Sequence, residues 1–103
     1  MMFVIMYEFT VKKDETATFK QLWHELTLRI RELSNSLGSR LHQESDTTWI
    51  GYAQWPSRAA WEDSNLNQAE MTELRQQIFE ACEDIQIIHQ LDVVDDLLVQ
   101  ARD

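Results

Sequence analysis

One cysteine, one proline and two glycines are all that this chain of 103 residues contains of those types. The lone Cys82 excludes an intrachain disulfide and fits a reducing compartment, so a cytoplasmic location is expected. Its acidic neighbours in IFEACEDI raise a thiol pKa, which suits a buried structural group better than a nucleophile. With only Gly38 and Gly51, no phosphate-cradling GxGxxG or P-loop is present. The shortage of Pro and Gly leaves little sequence for linkers, and no repeat or low-complexity run occurs. Residues 1–103 therefore read as a single domain. Basic residues are also few, nine Lys and Arg against eighteen Asp and Glu, and they are scattered. A net charge of −9 disfavours nucleic acid and anionic membrane surfaces as partners. Long apolar runs are missing: the start, MMFVIMYEF, has no basic segment before it and no small-residue cleavage site. It is far shorter than the roughly 20 residues a membrane helix needs, and it reads as a first strand. His24, His42 and His89 stand apart, without HxH or HxxxH spacing or a nearby Cys, so no metal site is expected.

What the chain does have is enough apolar mass to fold. Hydrophobic residues make up 44%, and a domain of this size buries roughly 60–70% of its unfolded surface. Phe3, Ile5, Tyr7, Phe9 and Val11 alternate with Val4, Met6, Glu8 and Thr10, which predicts a strand over Phe3–Val11. Asp14 stands where a helix cap is expected. Beyond it, Phe19, the adjacent pair Leu22 and Trp23, Leu26, Ile30 and Leu33 recur at spacings of three and four, a helical stripe. Strands come next at Leu37–Glu44 and Thr48–Trp55, the second stopped by Pro56. Ser57 is the expected N-cap of Arg58–Glu62, and Asp63-Ser64-Asn65 interrupts. A further helix carries Met71, Leu74, Ile78 and Ala81 or Cys82, and Asp84–Val94 forms the last strand. The tail, Asp95–Asp103, is amphipathic but short.

The order β-α-β-β-α-β is the α+β, ferredoxin-like arrangement, a four-stranded antiparallel sheet with its helices on one face. Its other face then holds Val4, Met6, Ile50, Tyr52 and Ile88, too apolar to leave in water. A second copy packed about a two-fold axis is the simplest cover, and a homodimer is expected.

Three of the four tryptophans, Trp49, Trp55 and Trp61, fall between Leu37 and Glu62, where a strand gives way to a helix. The segments YEFTV, TFKQLWHELT, SLGSRLH and YAQWPSRAAWE together resemble the antibiotic biosynthesis monooxygenase family. The resemblance implies a dimeric α+β barrel. It also implies one of several activities: cofactor-independent oxygenation of polycyclic phenols, quinol oxygenation or haem degradation. The family's haem degraders use an Asn on the first strand, a Trp ending the third strand and an iron-ligating His on the second helix. Here the corresponding positions hold Tyr7, Trp55 and the stretch EMTELRQQ, which has no histidine. Two of the three depart, so haem degradation is not expected and no cofactor is implied.

Period-two alternation places Gly51 and Ala53 beside Trp55 on one face, where they remove side-chain volume in mid-sheet. Either a helix or Trp23 packs into that space, or it is a slot for a small planar aromatic ligand walled by Trp23, Trp55 and Trp61, with Tyr7 as polar handle. In such a slot a deprotonated phenol or hydroquinone reduces O₂ directly, given a base and an oxyanion donor. Candidate catalytic residues are Tyr7, Arg40 and His42. Ordinary strand roles compete for the last two, an ion pair with Glu8 or Glu44 for Arg40 and satisfied neighbours for His42. Hairpin register decides their face. A three-residue loop, Ser45-Asp46-Thr47, pairs Arg40 with Tyr52 and His42 with Ile50, towards the dimer side. A two-residue loop turns both towards the slot, but neither Asp46 nor Thr47 is a preferred central residue of such a turn. Two functions stay open: a cofactor-independent monooxygenase or quinol oxygenase acting on a phenolic or quinoid compound, and a non-catalytic dimer, small-molecule-binding or stress-related.

Overall fold

Alternating apolar residues over Phe3–Val11 form strand β1, and every residue of its inward set except Tyr7 is buried. A computed structural model describes residues 1–64 and 69–99 of the chain. After β1 come a short 3₁₀ turn at Lys13–Glu15, helix α1 at Thr16–Leu33, strands β2 at Ser39–Gln43 and β3 at Thr48–Trp55, helices α2 at Arg58–Glu62 and α3 at Ala69–Ala81, and strand β4 at Cys82–Asp92. The sheet is antiparallel with order β2-β3-β1-β4, so both edges are free of neighbours among the described strands. This is the expected α+β arrangement. Asn65, part of the expected break, and the end of the tail, residues 100–103, lie outside the described residues.

Local chemistry explains most boundaries. Ser57 is extended and its Oγ accepts a hydrogen bond from the Ala60 N–H at 3.0 Å, the N-cap its position calls for. Asp14 does not cap α1; it sits inside the 3₁₀ turn, and Glu15 precedes the helix with no side-chain cap. β2 begins at Ser39 rather than Leu37 because Gly38 adopts φ +97°, a left-handed conformation that breaks the regular strand. Pairing nonetheless reaches that far: the Leu37 N–H donates to the Gln54 carbonyl, and the Gln54 N–H to that of Gly38. β4 starts at Cys82, directly after α3, two residues earlier than expected.

The β2–β3 hairpin has the three-residue loop. Arg40 pairs with Tyr52 and His42 with Ile50, the Glu44 N–H donates to the Thr48 carbonyl, and the Ser45 Oγ accepts from the Thr48 N–H. The outer face of the sheet therefore carries Arg40, His42, Ile50, Tyr52, Met6 and Glu8. A register shift between Met6 and Tyr7 alters one expectation on β4. Tyr7 pairs with Ile87 but Met6 pairs with His89, so Ile88 is the extra residue and His89 takes the place expected of it. Val4, also expected to need a partner's cover, is already buried within the single chain.

On the inner face the core divides in two. Phe9, Val11, Phe19, Trp49, Ile78, Ala81 and Cys82 form one cluster, and Phe3, Ile5 and Trp55 the other. Of the α1 stripe only Phe19 is fully buried; Leu22, Trp23, Leu26 and Ile30 stay partly exposed. The helix packs tightly at its first turn, and the rest of its apolar face overlooks open space between the two clusters.

Candidate functional site

That space is a cavity of about 590 Å³ between the sheet and the helices. β1 and β3 build its floor from Tyr7, Phe9, Gly51, Ala53 and Trp55, with Ile85 of β4 beside them. α1 contributes Trp23, Leu26, Thr27 and Ile30 to one wall. α3 forms the other wall with Thr72, Arg75, Gln76, Ile78 and Phe79, and Ser36 and Ser39 close one end. Phe79 is 65% exposed and stands at the rim.

The small residues of β3 make the floor possible. Gly51 lies opposite Tyr7 and Ala53 opposite Ile5. A Cβ on Gly51 would come within 3.1 Å of Phe9 Cε2 and 3.6 Å of Trp23 Nε1, so both rings already lean over the glycine. Trp23 packs down towards Gly51, and a cavity remains beside it. Trp55 is 3% exposed, lines the cavity, and keeps an indole N–H that has no hydrogen-bond partner. A buried donor without an acceptor costs about 1–3 kcal/mol, and the indole N–H of Trp49, which does not line the cavity, is in the same state among the described residues.

Tyr7 is the polar centre of the floor. Burial pushes its hydroxyl above the ordinary tyrosine range, while a hydrogen bond from Trp61 and the positive charge of Arg75 pull it down. The net shift is upward, so Tyr7 is protonated at neutral pH and acts as a donor.

Of the expected pocket residues, Trp23, Gly51, Ala53 and Trp55 line the cavity, as does Tyr7. Trp61 does not. Its ring stacks against Phe3 at 5.5 Å, tilted by 34°, and it reaches the site only through the Tyr7 hydroxyl. The sheet separates Arg40 and His42 from the cavity: both are exposed on the outer face, and His42 Nδ1 lies 3.3 Å from the Ile50 carbonyl oxygen. Arg75, Thr72 and Gln76 were not singled out by the sequence pattern. Their signal was the stretch EMTELRQQ itself, where polar residues at spacings of three and four sit between the apolar Met71 and Ile78. No group of three or more His, Cys, Asp or Glu side chains able to hold a metal occurs among the described residues, and no helix among them is long and apolar enough to cross a membrane.

Residues 2–76 match the family model described as antibiotic biosynthesis monooxygenase. A search of the curated proteins found no match. Solved structures share the fold at low identity. Rv0793 from Mycobacterium tuberculosis superposes with a TM-score of 0.75 at 14% identity, over 95% of this chain and all of that one. SnoaB, a cofactor-independent oxygenase from Streptomyces nogalater, gives 0.74 at 14% over 93% and 96%. A third structure, an antibiotic biosynthesis monooxygenase, gives 0.72 at 21% over 92% and 100%.

Proposed function

Because the chain belongs to the antibiotic biosynthesis monooxygenase family, we propose that it is a cofactor-independent oxygenase acting on a small phenolic or quinoid aromatic held between Trp23 and Trp55. The cavity carries this reading: a space of about 590 Å³ with aromatic walls and one protonated hydroxyl at its floor. Planar ligands suit such walls through offset stacking. In the reaction, a phenolate ring transfers electrons to O₂ and an oxygen atom bonds to the ring carbon that bore hydrogen. The O–O bond of the resulting peroxide then breaks. One oxygen stays as a quinone carbonyl, and the other leaves as water with the hydrogens of the substrate's C–H and O–H. Tyr7 donates a hydrogen bond to the developing anionic oxygen, the role that stabilises such charge in a water-poor site.

The assembly belongs to the same proposal. A two-fold homodimer through the outer sheet face is supported by Met6, Ile50 and Tyr52 on that face and by Leu91, which is 45% exposed. Val94, Leu97, Leu98 and Val99 come after the edge strand β4 and stand in water, apolar groups interrupted by Asp95 and Asp96 whose exposure favours association.

Oxygen uptake with a panel of hydroquinones and polyphenols, without added reductant, tests the reading. Uptake above buffer should fall by about a hundredfold in Tyr7→Phe if the hydroxyl stabilises the oxyanion, and His42→Ala, on the far face of the sheet, should leave it unchanged. Haem or flavin absorbance in the pure protein would overturn the cofactor-free reading. One observation favours a second function, non-catalytic binding of the same aromatic class: among the described side chains no Asp, Glu, His, Lys or Cys lines the cavity to take a proton. Ligand binding with no uptake from any member of the panel would favour it.

A further inference from the structure

The outer face of the sheet carries two opposite charges that the single chain leaves apart. Glu8 is half-buried on the central strand β1, between Ile50 and Gln86 of the flanking strands. Arg40 is exposed on the edge strand β2, beside Tyr52. The ion pair expected of Arg40 with Glu8 or Glu44 does not form: among the described residues neither Arg40 nor Glu8 has an ion-pair partner. The two charges lie two strands and one row of side chains apart, about 12 Å at ordinary sheet spacings, with Ile50 and Tyr52 between them. Arg40 is the only Lys or Arg among the described strand residues of this face. The acids of those strands are Glu8 and the exposed Asp84, near the start of β4.

We propose that this face docks on a second copy of itself through reciprocal ion pairs, Glu8 of each protomer with the partner's Arg40. The pairing rests on the two-fold assembly put forward above and fixes its register. Covering Met6, Ile50 and Tyr52 with a second sheet also takes Glu8 out of water, because it stands beside Ile50 and one row from Met6. A carboxylate so enclosed needs a counter-charge. In an isologous interface both protomers offer the same patch, so each contact between two different residues occurs twice. A two-fold axis passing between Ile50 and Tyr52 exchanges the places of Glu8 and Arg40, so each carboxylate meets a guanidinium and the apolar residues meet across the axis. Guanidinium suits the pairing because its planar fork of donors matches a carboxylate with two parallel hydrogen bonds. Registers that bring Glu8 against the partner's Glu8 are opposed by repulsion, in a chain whose net charge is −9.

Sedimentation equilibrium on charge-reversed proteins, each checked for its fold by circular dichroism, tests the pairing. The native chain should be a dimer. Glu8→Arg and Arg40→Glu should each raise the dimer dissociation constant by about a hundredfold or more, since each sets two like-charge pairs in one interface. Mixed in equal amounts, the two variants should regain a dimer, because one brings both cations and the other both acids. Native mass spectrometry of the mixture should identify that species as the heterodimer. The protein carrying both reversals should pair with itself again. Where a reversal fails to fold, Glu8→Gln and Arg40→Gln replace it, and their losses of affinity should be less than additive when combined. Folded variants that dimerise as tightly as the native chain, reversals that stay apart both when mixed and when combined, or fully additive neutral changes would overturn the pairing and leave the dimer standing. A native chain that sediments as a monomer would remove the assembly, and the pairing with it.

Discussion

Trp55 stands at the join between β3 and the proline that ends it, and it belongs to both the core and the cavity. Trp55→Phe keeps an aromatic ring against Phe3 and Ile5 and deletes the unpartnered N–H. The variant should melt near the native temperature while binding a stacked aromatic less tightly, by about 0.5–1.5 kcal/mol; severe unfolding without a ligand effect would return the residue to packing alone. Cys82 offers a second test at this scale. Burial pushes its thiol up from 9.0 to about 11, with the charge of Lys12 pulling weakly the other way. From its ordinary value upwards an unfolded thiol releases a proton that the folded protein retains. The contribution to stability is therefore complete below about pH 9 and declines as pH rises towards about 11. Urea midpoints measured across that window should fall less steeply in Cys82→Ala than in the native chain, and iodoacetamide should alkylate the native thiol only slowly near neutral pH.

At the scale of elements, the short helix α2 depends on its cap. Its first turn leaves N–H groups without helical partners, and the Ser57 Oγ supplies an acceptor to one of them. Ser57→Ala should cost about 0.5–2 kcal/mol in urea denaturation. The same change should loosen Trp61, whose ring packs on Phe3 from this helix and whose indole bonds Tyr7, so the Tyr7 titration monitored by absorbance should shift with it. Arg58 ties α2 to the sheet as well, lying 4.5 Å above the Phe3 ring and donating to Gln90 Oε1 at 2.7 Å. Helix α1 holds its place through Phe19 alone at full burial. Phe9 and Trp49 pack on that ring at 5.0 and 6.0 Å, which leaves the later turns free to overhang the cavity.

For the whole molecule the test is assembly. Apolar groups remain on the outer sheet face and along residues 94–99. Sedimentation at micromolar concentration should give about twice the mass of the 12.2 kDa chain. A sharp monomer would show that the described residues need no partner, and that the exposed tail is tolerated as it stands.

The elements of this protein were legible in its sequence because each one rests on local chemistry. Period-two alternation marks β1, a three-and-four rhythm marks α1, Pro56 ends β3 and Ser57 caps α2. Turn preference was enough to favour the three-residue hairpin loop and so to assign Arg40 and His42 to the outer face. Tyr7, Gly51, Ala53 and Trp55 emerged from that same parity as neighbours on the inner face. Parity fails where a bulge intervenes, which is why His89 rather than Ile88 opposes Met6: nothing in IQIIHQ marks where the extra residue falls, since pairing with β1 decides it. Nor does local pattern say which way Trp61 turns, or that α3 lies over the sheet at an angle that brings Arg75 to Tyr7. Those contacts join residues more than fifty positions apart, and only the packed arrangement of helices on the sheet determines them.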